Sequence, residues 1–219
     1  MSDYSGKHDE YFAAARKDIE PLLAPRAASA LELGCGAGAT LEWLKRSGRV
    51  ERTVGIEIHP PAAELARGRV NEIHCLDFEK TGLPVGTERF ELILCLDVLE
   101  HLVDPWGAID RLVNRHLASR GIIIASIPNV RHYSVVLPLA FRGRWDYQDH
   151  GLLDRTHLRF FTRSSARALV EHPRLEFVRC LCPGFESGTR KGLFNRLTLG
   201  IFEDLLAYHY LVSATTSKD

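Results

Sequence analysis

The sequence lacks a charge excess of either sign, and it lacks a long apolar run. Lysine and arginine number 28, as do aspartate and glutamate, among 219 residues. This balance disfavours a nucleic-acid or membrane-surface protein, because such proteins depend on a strongly basic field. No apolar run approaches the roughly 20 residues of a membrane span, and the first ten residues contain no signal-peptide core. We therefore predict a soluble cytoplasmic protein that binds a small molecule, without nucleic acid or membrane insertion.

The five cysteines indicate neither a disulfide framework nor a metal site. Their number is odd, and Cys35, Cys75 and Cys95 lie in or beside apolar runs, where a free thiol packs as a small hydrophobic group. Cys180 and Cys182 alternate along a predicted strand and lack the ligand spacing of zinc sites. The sequence thus predicts free thiols and no metal ligands.

Strands and helices alternate along the first 127 residues. The predicted strands are 30–33, 53–58, 72–75, 91–96 and 121–127, and the predicted helices are 8–24, 40–47, 61–67 and 105–117. Strands such as 92–96 are apolar on both faces, as in a parallel sheet covered by helices on each side. The pattern predicts a single doubly wound α/β domain over residues 1–219, with residues 1–27 as a leading helical cap.

Residues 129–163 interrupt this alternation with a polar, aromatic-laced insertion. The insertion contains six arginines and three aspartates: Arg131, Arg142, Arg144, Arg155, Arg159 and Arg163, and Asp146, Asp149 and Asp154. A helix at 163–171, a strand at 175–181, a helix at 194–205 and a strand at 207–214 are predicted to complete the fold.

A glycine-rich turn follows the first predicted strand, where residues 31–38 read LELGCGAG. Glycines at positions 34, 36 and 38 allow positive φ angles and let a ligand approach the backbone closely. Because Gly34, Gly36 and Ala39 also fit the dinucleotide fingerprint, the turn by itself leaves the cofactor open.

Acidic residues end four successive predicted strands: Glu32, Glu57, Asp77 and Asp97. The carboxyl ends of the strands form the ligand crevice of a doubly wound sheet. The pyrophosphate of NAD is anionic, whereas S-adenosylmethionine carries a sulfonium, an ammonium and an adenine amino group that carboxylates can meet. Ile58 and Phe78 add apolar surface for adenine. The acids favour S-adenosylmethionine over NAD, although Glu57 and Asp77 could instead cap helices or turns.

Four segments together resemble class I S-adenosylmethionine-dependent methyltransferases, in the branch of ubiquinone-pathway and cell-surface sugar O-methyltransferases. The segments are 31–38, 55–58 (GIEI), 76–79 (LDFE) and 96–102 (LDVLEHL). The resemblance implies a Rossmann-like, mostly parallel sheet of seven strands with the last strand antiparallel and an insertion after the fifth. It also implies that the product is S-adenosylhomocysteine.

Matching positions carry over the cofactor contacts of this family. Glu32, Gly34, Gly36 and Gly38 would frame the methionine part, and Glu57 would hold the ribose. Asp77 and Phe78 would contact adenine, and the backbone of Leu96 and Asp97 would line the methyl-donor end.

Two histidines are candidates for a general base, which a hydroxyl acceptor requires. His157 lies in the segment DRTHLRFFT (154–162), similar to one in surface-polysaccharide methyltransferases, and Asp154 could orient its imidazole. His101 follows the fourth strand, where the histidine of similar enzymes often shapes the pocket.

The insertion is also the candidate acceptor site, with His150, Arg155, Arg159, Trp145 and Tyr147 as binding residues. Its arginines could attract an anionic or sugar-like acceptor, such as a nucleotide-sugar, or could form a solvated face. The leading hypothesis is O-methylation of a small polyhydroxylated molecule. The alternatives are N- or C-methylation of a natural product, an NAD-linked oxidoreductase, and a catalytically silent binding module.

Overall fold

The computed structural model describes residues 14–185 and 188–216. Seven strands form one sheet in the order β3-β2-β1-β4-β5-β7-β6. They are β1 (Ala27–Leu33), β2 (Val50–Glu57), β3 (Glu72–Cys75), β4 (Phe90–Leu96), β5 (Leu117–Pro128), β6 (Leu175–Leu181) and β7 (His209–Thr216). Neighbouring strands from β3 to β5 are parallel, whereas β7 pairs antiparallel with both β5 and β6. The predicted fold class is confirmed, and the domain limits 1–219 stay a prediction.

Eight α-helices connect the strands within the described residues. They are α1 (Ala39–Arg46), α2 (Pro60–Ala66), α3 (Phe78–Thr81), α4 (Pro105–Arg111), α5 (Tyr133–Arg142), α6 (Arg163–Leu169), α7 (Arg190–Leu197) and α8 (Glu203–Leu206). Short 3₁₀ helices occur at Lys17–Leu22 and Leu99–His101, and α4 continues as a π-helical turn over Leu112–His116. None of the helices in the described parts of the chain has the length and apolarity needed to cross a bilayer.

Two helix predictions differ from the structure, and one helix of the insertion was not predicted. Of the predicted leading helix at 8–24, the described part contains only the 3₁₀ helix Lys17–Leu22, and residues 8–13 lie outside the described residues. The predicted helix at 194–205 is two helices, because Leu199 and Gly200 adopt φ of +53° and +77° and break the chain between α7 and α8. The insertion contains helix α5, which its polar composition did not predict.

The core lies on both faces of the sheet, and β4 illustrates why. Ile93 and Cys95 pack into one apolar cluster with α4 and α6, whereas Leu92, Leu94 and Leu96 pack into the other with α1. Because side chains alternate along a strand, a strand that is apolar throughout needs helices on both sides. Because β1, β2 and β4 are parallel, their carboxyl ends lie at one edge of the sheet. This edge holds the candidate site.

Candidate cofactor and acceptor site

The glycine turn is a tight cradle between β1 and α1. Gly34, Gly36 and Gly38 have φ of +71°, +54° and +77°, values that favour glycine. A Cβ atom on Gly34 would lie only 2.8 Å from Cγ2 of Val98. The N–H groups of Gly34 and Cys35 donate to the carbonyl of Ile56, which fixes the turn against β2. These hydrogen bonds fix the position from which α1 begins.

Glu57 joins this turn to the start of α2. Its side chain is buried, and its two carboxylate oxygens accept from the N–H groups of Gly36 and His59, each at 2.8 Å. Each carboxylate oxygen has a second lone pair, so the group can also accept from the hydroxyls of a ribose. Glu57, the residue predicted to bind the ribose, thus lies against the predicted glycine turn.

Glu32 lies buried at the end of β1, with 3% of its surface exposed. Its Oε2 atom has no hydrogen-bond partner among the described residues. Burial raises the pKa of Glu32 to about 8, against the opposing charge of Arg16 and with the help of Glu57. A buried carboxyl with an unmet oxygen suits an incoming cationic or hydrogen-donating group.

Replacing Glu32 by glutamine is expected to flatten the dependence of stability on pH. The pKa of Glu32 is higher in the folded chain than in the unfolded chain, so the folded state keeps a proton that the unfolded state releases between pH about 4.5 and about 8. The free energy of unfolding should therefore fall with rising pH, by up to about 1.4 kcal/mol per pH unit. Urea unfolding at several pH values measures this slope. An equal slope in the wild type and Glu32→Gln would contradict the assignment.

Asp97 follows β4 in a strained conformation, with φ of +53°. Its Oδ1 accepts a hydrogen bond of 2.6 Å from the hydroxyl of Ser126, near the end of β5, and its Oδ2 pairs with the guanidinium of Arg16. Arg16 also donates to Asp18 and to the Ser126 hydroxyl. A half-buried cation therefore lies beside Asp97 in the predicted acidic crevice.

Sequence reasoning missed Arg16 and its partners Asp18, Ser126 and His209. The Nε2 atom of His209 lies 3.1 Å from Oδ2 of Asp18 and 3.3 Å from the guanidinium of Arg16. Burial opposes the charge of Asp18, but hydrogen bonds from His209 and Arg16 hold its pKa well below the usual range. Burial lowers the pKa of Arg16, but the carboxylates of Asp18 and Asp97 outweigh it and raise that pKa above its usual value. No spacing rule links residues that are up to 193 positions apart.

The predicted adenine contacts lie beyond β3. Asp77 caps α3 by accepting from the N–H of Glu79, and it accepts from Nζ of Lys80 at 2.6 Å, which lowers its pKa. The ring of Phe78 is 5% exposed and lies beneath the guanidinium of Arg111. Ile58, at 46% exposure, therefore presents more apolar surface here than Phe78 does.

The two candidate histidines meet, although 56 residues separate them. The ring centroids of His101 and His157 lie 4.7 Å apart. The N–H groups of Leu158 and Arg159 donate to the carbonyl of Glu100, which anchors the insertion beside the 3₁₀ helix of His101. One ring nitrogen of each histidine and a carboxylate oxygen of Glu100 lie within 4.8 Å of one another. We call these three residues the histidine cluster.

Backbone carbonyls orient both imidazoles. Nδ1 of His101 faces the carbonyl of Thr156 at 3.1 Å, and Nδ1 of His157 faces the carbonyl of Leu152 at 3.2 Å. Since a carbonyl only accepts, each Nδ1 carries a proton in these bonds, and Nε2 is the basic nitrogen of the neutral ring. His157 is buried, with Nε2 3.9 Å from Oε1 of Glu100, whereas His101 is partly exposed.

Asp154 shapes the turn that precedes His157. Its Oδ1 accepts from the N–H and the hydroxyl of Thr156 at 2.9 and 2.7 Å, and its carbonyl accepts from the N–H of His157. The carboxyl is buried. These bonds position the backbone of the histidine, and direct orientation of the imidazole by Asp154 stays a prediction.

Most arginines of the insertion are engaged within the chain. Ion pairs join Arg131 to Asp204, Arg144 to Asp146, Arg155 to Asp149, and Arg163 to Glu203 and Asp204. Arg159 donates to the carbonyl of Val103. These pairs leave less positive charge for an anionic acceptor than the sequence suggested.

The aromatic residues of the insertion separate into two groups. The ring of Trp145 packs edge-on against Phe160, with 5.2 Å between centroids, and Phe161 is buried in the core. Tyr147 and His150 are exposed. The structure thus gives Trp145 a packing role and leaves Tyr147 and His150 open to solvent.

The fold and the crevice define a doubly wound enzyme of the nucleotide-cofactor class. Residues 7–177 match the methyltransferase domain family, and the chain belongs to this family. The cofactor class is therefore S-adenosylmethionine rather than NAD, as the strand-end carboxylates predicted. The residues fit this cofactor, because Glu32 has an unmet buried oxygen and a side chain at Gly34 would close the cradle.

Curated relatives cover only part of the chain. The ubiquinone biosynthesis O-methyltransferase of Glaesserella parasuis serovar 5 (strain SH0165) is 31% identical over 108 residues, which is 45% of this chain and 44% of that protein. The enzyme of the same name from Coxiella burnetii (strain RSA 493 / Nine Mile phase I) is 27% identical over 95 residues, 41% of this chain and 39% of that protein. The chain thus spans less than half the length of these relatives.

Solved structures share the fold over nearly the whole chain. An S-adenosylmethionine-dependent methyltransferase from Archaeoglobus fulgidus has a TM-score of 0.64 at 16% identity, covering 98% of this chain and 100% of that one. The N-methyltransferase NodS of Bradyrhizobium japonicum WM9, in complex with S-adenosylhomocysteine, has a TM-score of 0.57 at 18% identity, covering 93% and 83%. At these identities the likeness shows the fold alone.

Proposed function

We propose that the chain transfers the methyl group of S-adenosylmethionine to a hydroxyl of a small polyhydroxylated acceptor, with a histidine of the histidine cluster as general base. The observation that supports a hydroxyl acceptor most directly is the meeting of His101 and His157 beside the carboxyl end of β4. The relatives named O-methyltransferases support the same choice of acceptor atom.

The proposed cofactor site uses three kinds of contact. Glu57 would bind the ribose hydroxyls, while Asp77 and Ile58 would meet adenine. Glu32 would face the ammonium of the methionine part, and Arg16 would bind its carboxylate, because paired guanidinium and carboxylate groups match in charge and geometry. The bound cofactor supplies an electrophilic methyl group on a sulfonium.

The chain's own part in transfer is to place the acceptor and take its proton. An in-line displacement needs the acceptor oxygen aligned with the methyl group and water excluded. The strained turn at Asp97 would line the methyl-donor end, and Glu100 and His101 of the histidine cluster follow it in the 3₁₀ helix Leu99–His101. In the neutral ring, Nε2 of His101 or of His157 receives the hydroxyl proton.

Replacing His157 or His101 by asparagine is expected to lower kcat by about 10²- to 10⁴-fold for the histidine that acts as the base. Asparagine keeps a donor near the carbonyl that each Nδ1 faces, so the loop geometry should survive. The affinity for S-adenosylhomocysteine should change less than about threefold. Calorimetric titration and a single-turnover methyl-transfer assay measure the two quantities separately.

Thr156→Val serves as the control, because it removes a hydroxyl bonded to Asp154 without touching either imidazole ring. It should reduce kcat far less than the base variant. If both asparagine variants keep full turnover, the general-base proposal is wrong. That result would favour an amine or carbon acceptor, which is the alternative that the sequence analysis left open.

The acceptor class needs a direct test. A panel of sugars, nucleotide-sugars, phenols and amines, assayed with methyl-labelled S-adenosylmethionine, should give label in an ether of a polyhydroxylated compound. Tyr147 and His150 are the proposed binding residues that face solvent, and Arg155, Arg159 and Trp145 would act beside them. Label found only in amines would refute the proposed acceptor.

A further inference from the structure

Helix α7 and the turn that follows it carry apolar side chains that the fold does not bury. Leu197, Leu199 and Ile201 are 74%, 89% and 73% exposed, and no residue of α7 is buried. We call residues 190–202 the apolar tip. Large apolar side chains that are grouped and exposed mark contact surfaces, because leaving them in water is unfavourable.

The backbone leaves helical geometry within the apolar tip. Leu199 is a non-glycine residue at φ of +53°, and Gly200 follows at +77°, so the chain reverses at its most exposed leucine. Left-handed backbone at a leucine costs free energy and is retained where the surroundings require it. The side chain of Leu199 is therefore exposed on the surface.

The apolar tip itself contains three cations, and the two acids that follow it, Glu203 and Asp204, form ion pairs with Arg163 and Arg131. Residues 188–202 contain Arg190, Lys191 and Arg196 and no acidic residue, and all three cations are exposed. Exposed leucine, isoleucine and phenylalanine next to lysine and arginine are typical of helices that bind at an anionic bilayer surface. The overall charge balance of the chain conceals this local excess.

Helix α5 follows β5 and so begins at the same end of the sheet as the tip, which lies between β6 and β7. Its N-terminal neighbour His132 has a pKa lowered by burial and by the charge of Lys191. Within α5 only Val135 is buried, whereas Phe141 is 81% exposed. Helix α5 has Arg142 in its last turn and no acidic residue, whereas Arg144 beyond the helix is paired with Asp146. A second helix with exposed apolar side chains and one arginine therefore starts at this end of the sheet.

We propose that the apolar tip, together with α5, docks the chain reversibly on an anionic lipid bilayer. The tip follows β6 and precedes β7, and α5 follows β5, so both leave the edge of the sheet that holds the candidate site. Ion pairs of Asp204 with Arg131 and Arg163 tie α8 to this edge. Docking would place the edge of the sheet that holds the candidate site next to the lipid surface. This proposal concerns where the chain binds and does not depend on which acceptor it methylates.

Vesicle co-sedimentation of the full chain tests the proposal. The chain should bind vesicles of phosphatidylcholine mixed with phosphatidylglycerol, and added salt should weaken this binding. Leu197→Glu combined with Leu199→Glu should reduce the partition coefficient by about tenfold or more. Lys191→Gln combined with Arg196→Gln should reduce it by about 30-fold, since each cation contributes about fivefold.

Two controls match these variants. Leu65→Glu changes a leucine of 51% exposure on α2, and Arg46→Gln changes an exposed cation on α1. Both should bind vesicles like the wild type. Binding of S-adenosylhomocysteine verifies that every variant is folded.

Three results would overturn the proposal. The first is a wild-type chain that leaves mixed vesicles unbound, and the second is tip variants that bind as the wild type does. The third is a wild-type dimer in light scattering that Leu197→Glu dissociates, because the tip would then be covered by a second copy of the chain.

Discussion

Replacing Arg16 by methionine is expected to weaken the binding of S-adenosylhomocysteine by about 100-fold and to lower the free energy of unfolding by about 3 kcal/mol. Arg16 is 22% exposed and touches Asp18, Asp97 and Ser126. Its removal leaves the carboxylates of Asp18 and Asp97 close together without their cation, and it removes the proposed partner of the cofactor carboxylate. Isothermal titration and urea unfolding measure the two effects.

Arg26→Met is the matched control for this experiment. Arg26 pairs with Glu51 at 2.8 Å, but the two side chains are 70% and 61% exposed. Its loss should cost less than about 0.5 kcal/mol and leave cofactor affinity unchanged. If Arg16→Met lowers stability while affinity is preserved, Arg16 is structural and its proposed contact with the cofactor is wrong.

Replacing Gly34 by alanine is expected to lower the free energy of unfolding by about 3–5 kcal/mol and to abolish measurable cofactor binding. Two costs add at this position. The residue has φ of +71°, and the new Cβ would lie 2.8 Å from Cγ2 of Val98. Val98 follows the strained Asp97, so a displacement there would also disturb the proposed methyl-donor end of the crevice.

Gly48→Ala separates these two costs. Gly48 has nearly the same φ, +70°, but nothing lies within 4 Å of the Cβ position. It should lose only about 1–2 kcal/mol, from the left-handed backbone alone, and keep its affinity for S-adenosylhomocysteine. Equal losses in both variants would mean that Val98 moves aside without cost and that the cradle is not tight.

Local patterns in the sequence determined the sheet and its cofactor edge. The run Leu92–Leu96 is apolar at every position, and such a strand is stable only between two layers of helices. The glycines of LELGCGAG follow β1, and the acids Glu32, Glu57, Asp77 and Asp97 lie at or just after the carboxyl ends of strands. Their placement at one edge therefore depends only on strand direction. These features were accessible without the tertiary structure because each one is set within a few residues.

Elements with conflicting local signals could not be predicted as well. The predicted helix at 194–205 has helical periodicity, but Gly200 divides it, and Leu199 takes a left-handed conformation that no propensity rule assigns to leucine. In α5, apolar residues were hidden in a segment whose overall composition is polar. Phe78 is buried and packs beneath Arg111, a residue of another helix, and local sequence does not indicate this contact.

The sequence by itself determined that this chain is a doubly wound protein with a carboxylate-rich cofactor edge, because strand periodicity and strand-end residues are local properties. Only the tertiary structure decided which cation enters that edge and which histidines meet. Arg16 reaches Ser126 across 110 positions, and His101 packs against His157 from a different segment. Such contacts form because the sheet and the insertion bring distant segments of the chain together. Local sequence patterns do not show which distant residues will meet.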